Sequence, residues 1–347
     1  MPRWSLLLAA IAVLSVPGAA AVAEPELEKV VFATNWRAQA AQGGFYQALA
    51  DGTYRDLGLA VEIRQGGPQV NNRPLLPAGR IDFLLTGNLL HAFDNQKNRV
   101  PTVVVAALFQ KDPQALIAHP GQGYERFEAL REAPVALIAK DGQFTWWQWL
   151  KVHHGFEDER LRPYNFNLGP FLANPRAIQQ GYSVAEPIYV ERQGGFVPVV
   201  HLLADHGFST YSTLIETRAE TIANRPDLVQ RFVDGSIIGW YRYLYGDRRA
   251  ANALMIKDNP ELTEAELDAS LVLIRAQGIV DSGEALERGI GAMSTERIRA
   301  FYESMVAAGL YRPGDVDPET IAATQFVNRR VGMDIKDQLS GPRLRNP

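Results

Sequence analysis

The chain has 347 residues, 46% of them hydrophobic and 21% charged, with a formal net charge of −4 and no cysteine. That length calls for two domains, and the composition is ordinary for a globular protein. The charge gives no reason to expect nucleic acid or an anionic membrane surface as partner, and the missing cysteines exclude disulfides and thiolate metal sites.

At the N-terminus, Arg3, the apolar run Leu6 to Val16 and the small-x-small triplet Ala21-Val22-Ala23 predict a signal peptide over residues 1–23, cleaved after Ala23. Pro17-Gly18 ends the run too early for a membrane anchor, and no later segment could span a bilayer. An exported protein is expected, not one integral to the membrane.

Val30 to Ala33 reads as a buried strand, with Asn35-Trp36 at the C-terminal edge where ligands bind in open α/β sheets. Gly43-Gly44 opens a helix carrying Phe45, Ala48 and Leu49, and is read as letting the backbone approach a ligand. Gly58 closes that helix before a second strand, Leu59 to Ile63. After Gly66-Gly67-Pro68-Gln69 comes a short helix, then a third strand, Ile81 to Leu85. Thr86 and Asn88 follow at the start of a helix over Leu89 to Lys97, where Asn88 suits both an N-cap and a ligand contact. Pro101 to Leu108 is a fourth strand.

From Gln114 the pattern restarts. Strands are expected at Ala115 to Ala118, Pro134 to Ala139 and Pro198 to Leu203, and helices at Tyr124 to Arg131 and near Pro175 to Gly181. Another helix carries Trp146, Trp147 and Trp149; Trp146 is expected to reach the cleft and the other two to pack. Tyr211 to Thr217 reads as a strand returning to the first unit. In the helical tail, Pro226 opens one helix, Thr263 to Glu266 is a capping box, and Asp317-Pro318 is read as starting the last helix. The end, Gly341 to Pro347, is expected to fray. Residues 24–112 and 208–347 therefore form one lobe and residues 113–207 an inserted second. The chain crosses near Gln110–Gln114 and Asp205–Tyr211, a two-strand hinge with a cleft between the lobes.

No nucleophile elbow, phosphate-loop lysine signature or HExxH pair is present. His153-His154 are adjacent, about 100° apart on a helix, and chelate poorly. His91, His119, His201 and His206 are isolated and read as structural. No catalytic residue, metal ligand or cofactor is assigned. The expected ligand-binding residues are Asn35, Trp36, Tyr46, Asn88, Phe144, Trp146, Tyr182, Glu186 and Tyr189. Aromatic walls with amides and one acid suit a planar heterocycle that donates N–H groups. Small oxyanions want Arg or Lys, and only Arg37 and Lys140 lie near these loops, both read as solvated.

Asn35-Trp36, the Gly-Gly-Phe-Tyr-Gln-Ala helix start, Tyr54 with Gly58-Leu59, Gly66-Gly67-Pro68 and Gly79-Arg80-Ile81-Asp82-Phe83 carry a resemblance over most of the chain. It resembles the periplasmic substrate-binding proteins of ABC importers. Within them it is similar to the branch that binds thiamine pyrimidine precursors and, further off, alkanesulfonates, taurine and nitrate. The resemblance implies an α/β, two-lobed type II periplasmic-binding-protein fold, each lobe a mostly parallel sheet flanked by helices. It also implies a monomeric periplasmic receptor that hands a small molecule to ABC permease transmembrane subunits, and a link to thiamine biosynthesis. The tract Gly181-Tyr182-Ser183-Val184-Ala185-Glu186-Pro187 is similar to the pyrimidine-precursor binders, which implies Glu186 as polar anchor and Trp36 with Tyr182 as stacking surfaces. Ala185 departs from that pattern, where an Asn often precedes the Glu. The alternatives are a binder of a sulfonate, taurine or nitrate anion, a sensor subunit, and a pyrimidine synthase of the same branch that uses pyridoxal phosphate. Against the last stand the signal peptide and the missing cysteine-rich motif.

Overall fold

The computed structural model describes residues 26–67 and 70–340. The expected signal peptide and its cleavage site, Pro68-Gln69 and the end from Gly341 lie outside the described residues. In chain order the strands are β1 (Glu28–Ala33), β2 (Leu59–Arg64), β3 (Phe83–Asn88), β4 (Thr102–Phe109), β5 (Gln114–Ala118), β6 (Val135–Ile138), β7 (Leu161–Pro163), β8 (Ala177–Tyr182), β9 (Val199–Leu202) and β10 (Ser212–Arg218). They form two five-stranded sheets, ordered β2-β1-β3-β10-β4 and β7-β6-β8-β5-β9. Parallel pairing dominates β1, β2 and β3, while β10 runs antiparallel to β3 and β4. In the second sheet β6 pairs in parallel with β7 and β8, and β5 runs antiparallel to β8 and β9. The fold is the α/β class the sequence led us to expect, with helices flanking each sheet, but each sheet is mixed rather than mostly parallel, with two parallel and two antiparallel pairings.

Burial follows position in the sheet. β4 and β10 are buried along almost their whole length, whereas edge strand β2 begins with the in-out alternation of a strand covered on one face. The helix Pro226–Tyr245 packs across the first sheet, where the Phe232 ring stacks on Phe83 at 4.1 Å and on Tyr54 at 5.5 Å. Gly43 and Gly44 open the helix Gly43–Ala50, but their work is packing rather than ligand approach. A Cβ on Gly43 would lie 2.1 Å from the Tyr243 ring, and one on Gly44 2.2 Å from Trp240. Gly239 completes the close approach, since its Cβ would meet the Gly44 carbonyl at 2.2 Å.

Three expected helices are corrected. The segment near Pro175 to Gly181 forms β8, a strand between β6 and β5. Its Gln179-Gln180 pair masked the strand pattern, yet Gln179 is wholly buried. Tyr124 to Arg131 shortens to a 3-10 segment, Phe127–Glu132. Asp317-Pro318 starts a turn in which Asp317 Oδ1 accepts the Glu319 N–H at 3.1 Å. The chain then pairs with β4 through Val104 and Ala322, covering a sheet edge, and the last described helix is Met333–Ser340.

Between the sheets the chain crosses twice, from Phe109 to Gln114 and from Leu203 to Ser212. Both crossings are tied by Arg297, which donates to the carbonyls of Gln110 (2.5 Å), Thr210 (3.3 Å) and Ser209 (3.1 Å) and lies 4.1 Å from the Tyr211 ring centre. The buried Asp112 accepts from Asn88 Nδ2 at 2.7 Å and from the Gln114 N–H at 2.8 Å, and burial raises its carboxyl to about 6. Among the described residues no helix is long and apolar enough to cross a membrane.

Candidate ligand-binding site

A cavity of about 810 Å³ is lined from both sheets. From the first come the loop after β1, with Asn35 and Trp36, the Arg73 segment, and the end of β3 with His91 one turn into the helix Leu89–Lys97. From the second come Trp146, the Tyr164–Phe166 loop, the end of β8 and the start of the helix Glu186–Gly194. The strand ends that converge here are where open α/β sheets place their ligands.

Glu186 is built in by its neighbours. β8 ends at Tyr182, whose N–H donates to Glu186 Oε2 at 2.6 Å. A Cβ on Gly181 would lie 2.9 Å from Glu186 Cβ, so glycine leaves room for the carboxylate over the strand end. Among the described residues no Arg or Lys pairs with Glu186, and Tyr182 is the one other residue that donates a hydrogen bond to its carboxylate. Burial therefore pushes its carboxyl up to about 7, opposed by the Tyr182 N–H. Three phenols surround it. Burial first, then the Glu186 charge, raises Tyr164 above its ordinary value; burial, then Asp112 and Glu186, does the same for Tyr182. Tyr189 is pushed up to about 12 by burial and then by Glu186.

Aromatic rings span the cavity mouth. Trp36 meets Phe166 at 5.0 Å between ring centres, and Phe166 meets Tyr164 at 5.3 Å. Phe166 is 47% exposed with φ at +58°, and Thr213 on β10 also lines the cavity with φ at +52°. Left-handed backbone is costly for a bulky or β-branched side chain and tends to collect at functional sites.

Of the nine expected site residues, Asn35, Trp36, Asn88, Trp146, Tyr182, Glu186 and Tyr189 line this cavity. Asn88 lines it with a committed amide: Oδ1 caps the helix by accepting the Leu90 N–H at 3.1 Å, and Nδ2 is spent on Asp112. Trp146 faces the cavity, whereas Trp147 donates to Asp158 Oδ1 at 3.0 Å and Trp149 packs on Phe208. Two residues are corrected. Tyr46 is buried on the far side of its helix, its hydroxyl donating to Asp258 Oδ2 at 2.8 Å. Phe144 ends the short helix Lys140–Phe144 pointing outward, 69% exposed.

Sequence reasoning missed Arg73, Tyr164, Phe166, Gln180 and Thr213, and took His91 for a structural residue. His91 stands three residues after the helix cap Asn88, a spacing that returns a side chain to the cap's face and could have flagged it. Arg37 also lines the cavity but is paired with Glu261 at 3.0 Å, and Lys140 is exposed and does not line it.

The chain belongs to the family described as NMT1/THI5 like, whose profile matches residues 39–251. Riboflavin-binding protein RibY of Chloroflexus aurantiacus is 23% identical over 312 residues, covering 88% of each chain. The fold is shared with the periplasmic aliphatic sulphonate binding protein SsuA from Escherichia coli (TM-score 0.59, 13% identity, 93% of this chain and 97% of that one). It is also shared with the desulfurization enzyme DSZB (TM-score 0.54, 13% identity, 86% of this chain and 97% of that one).

Proposed function

We propose that this protein is an extracytoplasmic solute receptor of an ABC importer, acting in the periplasm after removal of residues 1–23. In this reading one lobe comprises residues 24–112 and 208–347, the other residues 113–207. A small planar nitrogen heterocycle of the thiamine-pyrimidine-precursor type binds between them and is handed to a membrane permease. The observation that carries the reading is Glu186, a carboxylate with no basic partner among the described residues, set among Trp and Tyr rings. Such a group calls for a ligand that brings N–H donors and a flat face. The ligand in RibY's name, riboflavin, is itself a planar nitrogen heterocycle, and that relative spans most of this chain. The chain acts in transport rather than in turnover, the hinge crossings at Arg297 serving closure around the ligand.

Arg73 favours a second reading. It lines the cavity with no acidic partner at salt-bridge distance among the described residues, as a sulfonate or nitrate binder would want. A thermal-shift panel of aminopyrimidines, cytosine, flavins, taurine, alkanesulfonates and nitrate separates the two. The heterocycle reading expects stabilisation by ring compounds, about 2.7 kcal/mol at 100 times the dissociation constant. Shifts with sulfonates alone move the assignment to the anion, and steady conversion of a bound ring compound to product to an enzyme.

A further inference from the structure

Besides Glu186, the cavity holds a second group of polar side chains. Arg73 and His91 come from segments that flank the first sheet, and Asp141 from the short helix Lys140–Phe144 that follows β6 of the second; all three line the same space. Arg73, Asp141 and Asp94 are the charged groups that bear on His91, and Asp141 bears with Glu186 on Tyr182. At about 810 Å³ the space falls in the range that holds whole drug-sized ligands, and an aminopyrimidine alone leaves much of it unfilled.

We propose that the bound heterocycle carries an uncharged polyhydroxyl substituent, as in a ring joined to a sugar or sugar alcohol, and that Arg73, His91 and Asp141 hold that substituent. The inference rests on the heterocycle reading and adds to it the chemistry of the rest of the ligand. His91 Nδ1 is sealed against Gly87, so Nε2, which has no hydrogen bond among the described residues, is the ring nitrogen open to a ligand in the cavity. Arg73 spends one N–H on Asn95 Oδ1 at 3.1 Å and keeps others for the cavity. Asp94 already takes the Tyr311 hydroxyl at 2.8 Å on one oxygen, and Asp141 is exposed to the cavity. The cluster thus offers donors and acceptors together. A hydroxyl both donates and accepts, so it satisfies the guanidinium, the imidazole and a carboxylate in turn. A phosphate or sulfonate only accepts, and beside Asp94 and Asp141 it meets like charge.

The test uses two ring series, lumiflavin with riboflavin and its 5′-phosphate, and cytosine with cytidine and its 5′-monophosphate, titrated calorimetrically against the processed chain. In at least one series the hydroxylated member should bind about tenfold or more tighter than the bare ring, as two or three new hydrogen bonds supply. The phosphorylated member should fall back by a similar factor. Arg73→Met and His91→Leu should each shrink the ratio between hydroxylated and bare ring. Should either variant fold poorly, the wild-type ratios alone decide. Equal binding of bare and hydroxylated rings, or tightest binding of the phosphate, overturns this inference and leaves the heterocycle reading standing. Failure of every ring compound to bind overturns both.

Discussion

Lowering the pH should weaken binding of an N–H-donating heterocycle, because Glu186 must be ionised to accept from it. Its carboxyl titrates at about 7, raised by burial. At about pH 5.5, 1.5 units below that value, roughly 3% of the free protein carries the charged form. The apparent affinity should then be about 30-fold weaker than at pH 8.5, close to 2 kcal/mol. Calorimetric titration from about pH 5.5 to 8.5, with a ligand that does not itself titrate there, reads the slope. Two buffers of different ionisation heat should show nearly one proton released per ligand at the acid end. Glu186→Gln should flatten the profile and lose about 1.5–3 kcal/mol of affinity at about pH 8.5. Its fold should not suffer. A carboxyl raised in the folded state contributes stability that is full below the unfolded value of 4.5 and is lost as pH rises to about 7. The apo variant at about pH 8.5 should therefore melt at or above the wild type. A flat wild-type profile refutes the reasoning. So does an affinity that improves on acidification, which is what a protonated Glu186 donating to an anion would give.

Three further outcomes separate site from scaffold. Trp36→Ala removes a half-buried ring at the cavity mouth and should weaken ligand binding by roughly 1–3 kcal/mol while the apo melting temperature stays near wild type; a collapsed melting temperature would make Trp36 core. Tyr46→Phe should do the opposite, costing about 1–2 kcal/mol of stability in urea unfolding through the lost bond to Asp258, with ligand affinity unchanged. Gly44→Ala should destabilise by about 1–3 kcal/mol because its methyl would overlap Trp240, although alanine is the better helix former by about 1 kcal/mol; a stabilised variant would refute the close-packing role.

Periodicity and punctuation were legible along the chain because they are local. The helix Leu89–Lys97 was readable to the residue from its Asn88 cap, and the capping box at Thr263 and Glu266 forms as its spacing demands. The return of β10 to the first sheet was readable too, since an apolar run placed after the second α/β unit needs a buried partner. β8 was not, because two glutamines hid a central strand whose burial comes from neighbours about 40 and 65 residues away. The same distinction runs through the site. Glu186, Tyr182 and Trp36 stood out in the sequence, each beside a strand end or a Pro or Gly that marks a loop.

What the sequence by itself determined was the class of fold, the two-fold restart of the α/β pattern, and the placing of aromatic residues and one acid at strand ends. Only the tertiary structure decided which way a side chain faces and what stands across from it. It turned Tyr46 and the Gly43-Gly44 pair inward to the helix Pro226–Tyr245 and its neighbours, and Phe144 outward to solvent. It brought Arg73, His91 and Phe166 into a cavity that no local pattern announces. The physical reason is range. Caps, turns and periodicity are set by residues within about four positions of one another. A cavity between two sheets is set by pairs such as Trp36 and Phe166, which meet only after the chain has crossed the hinge.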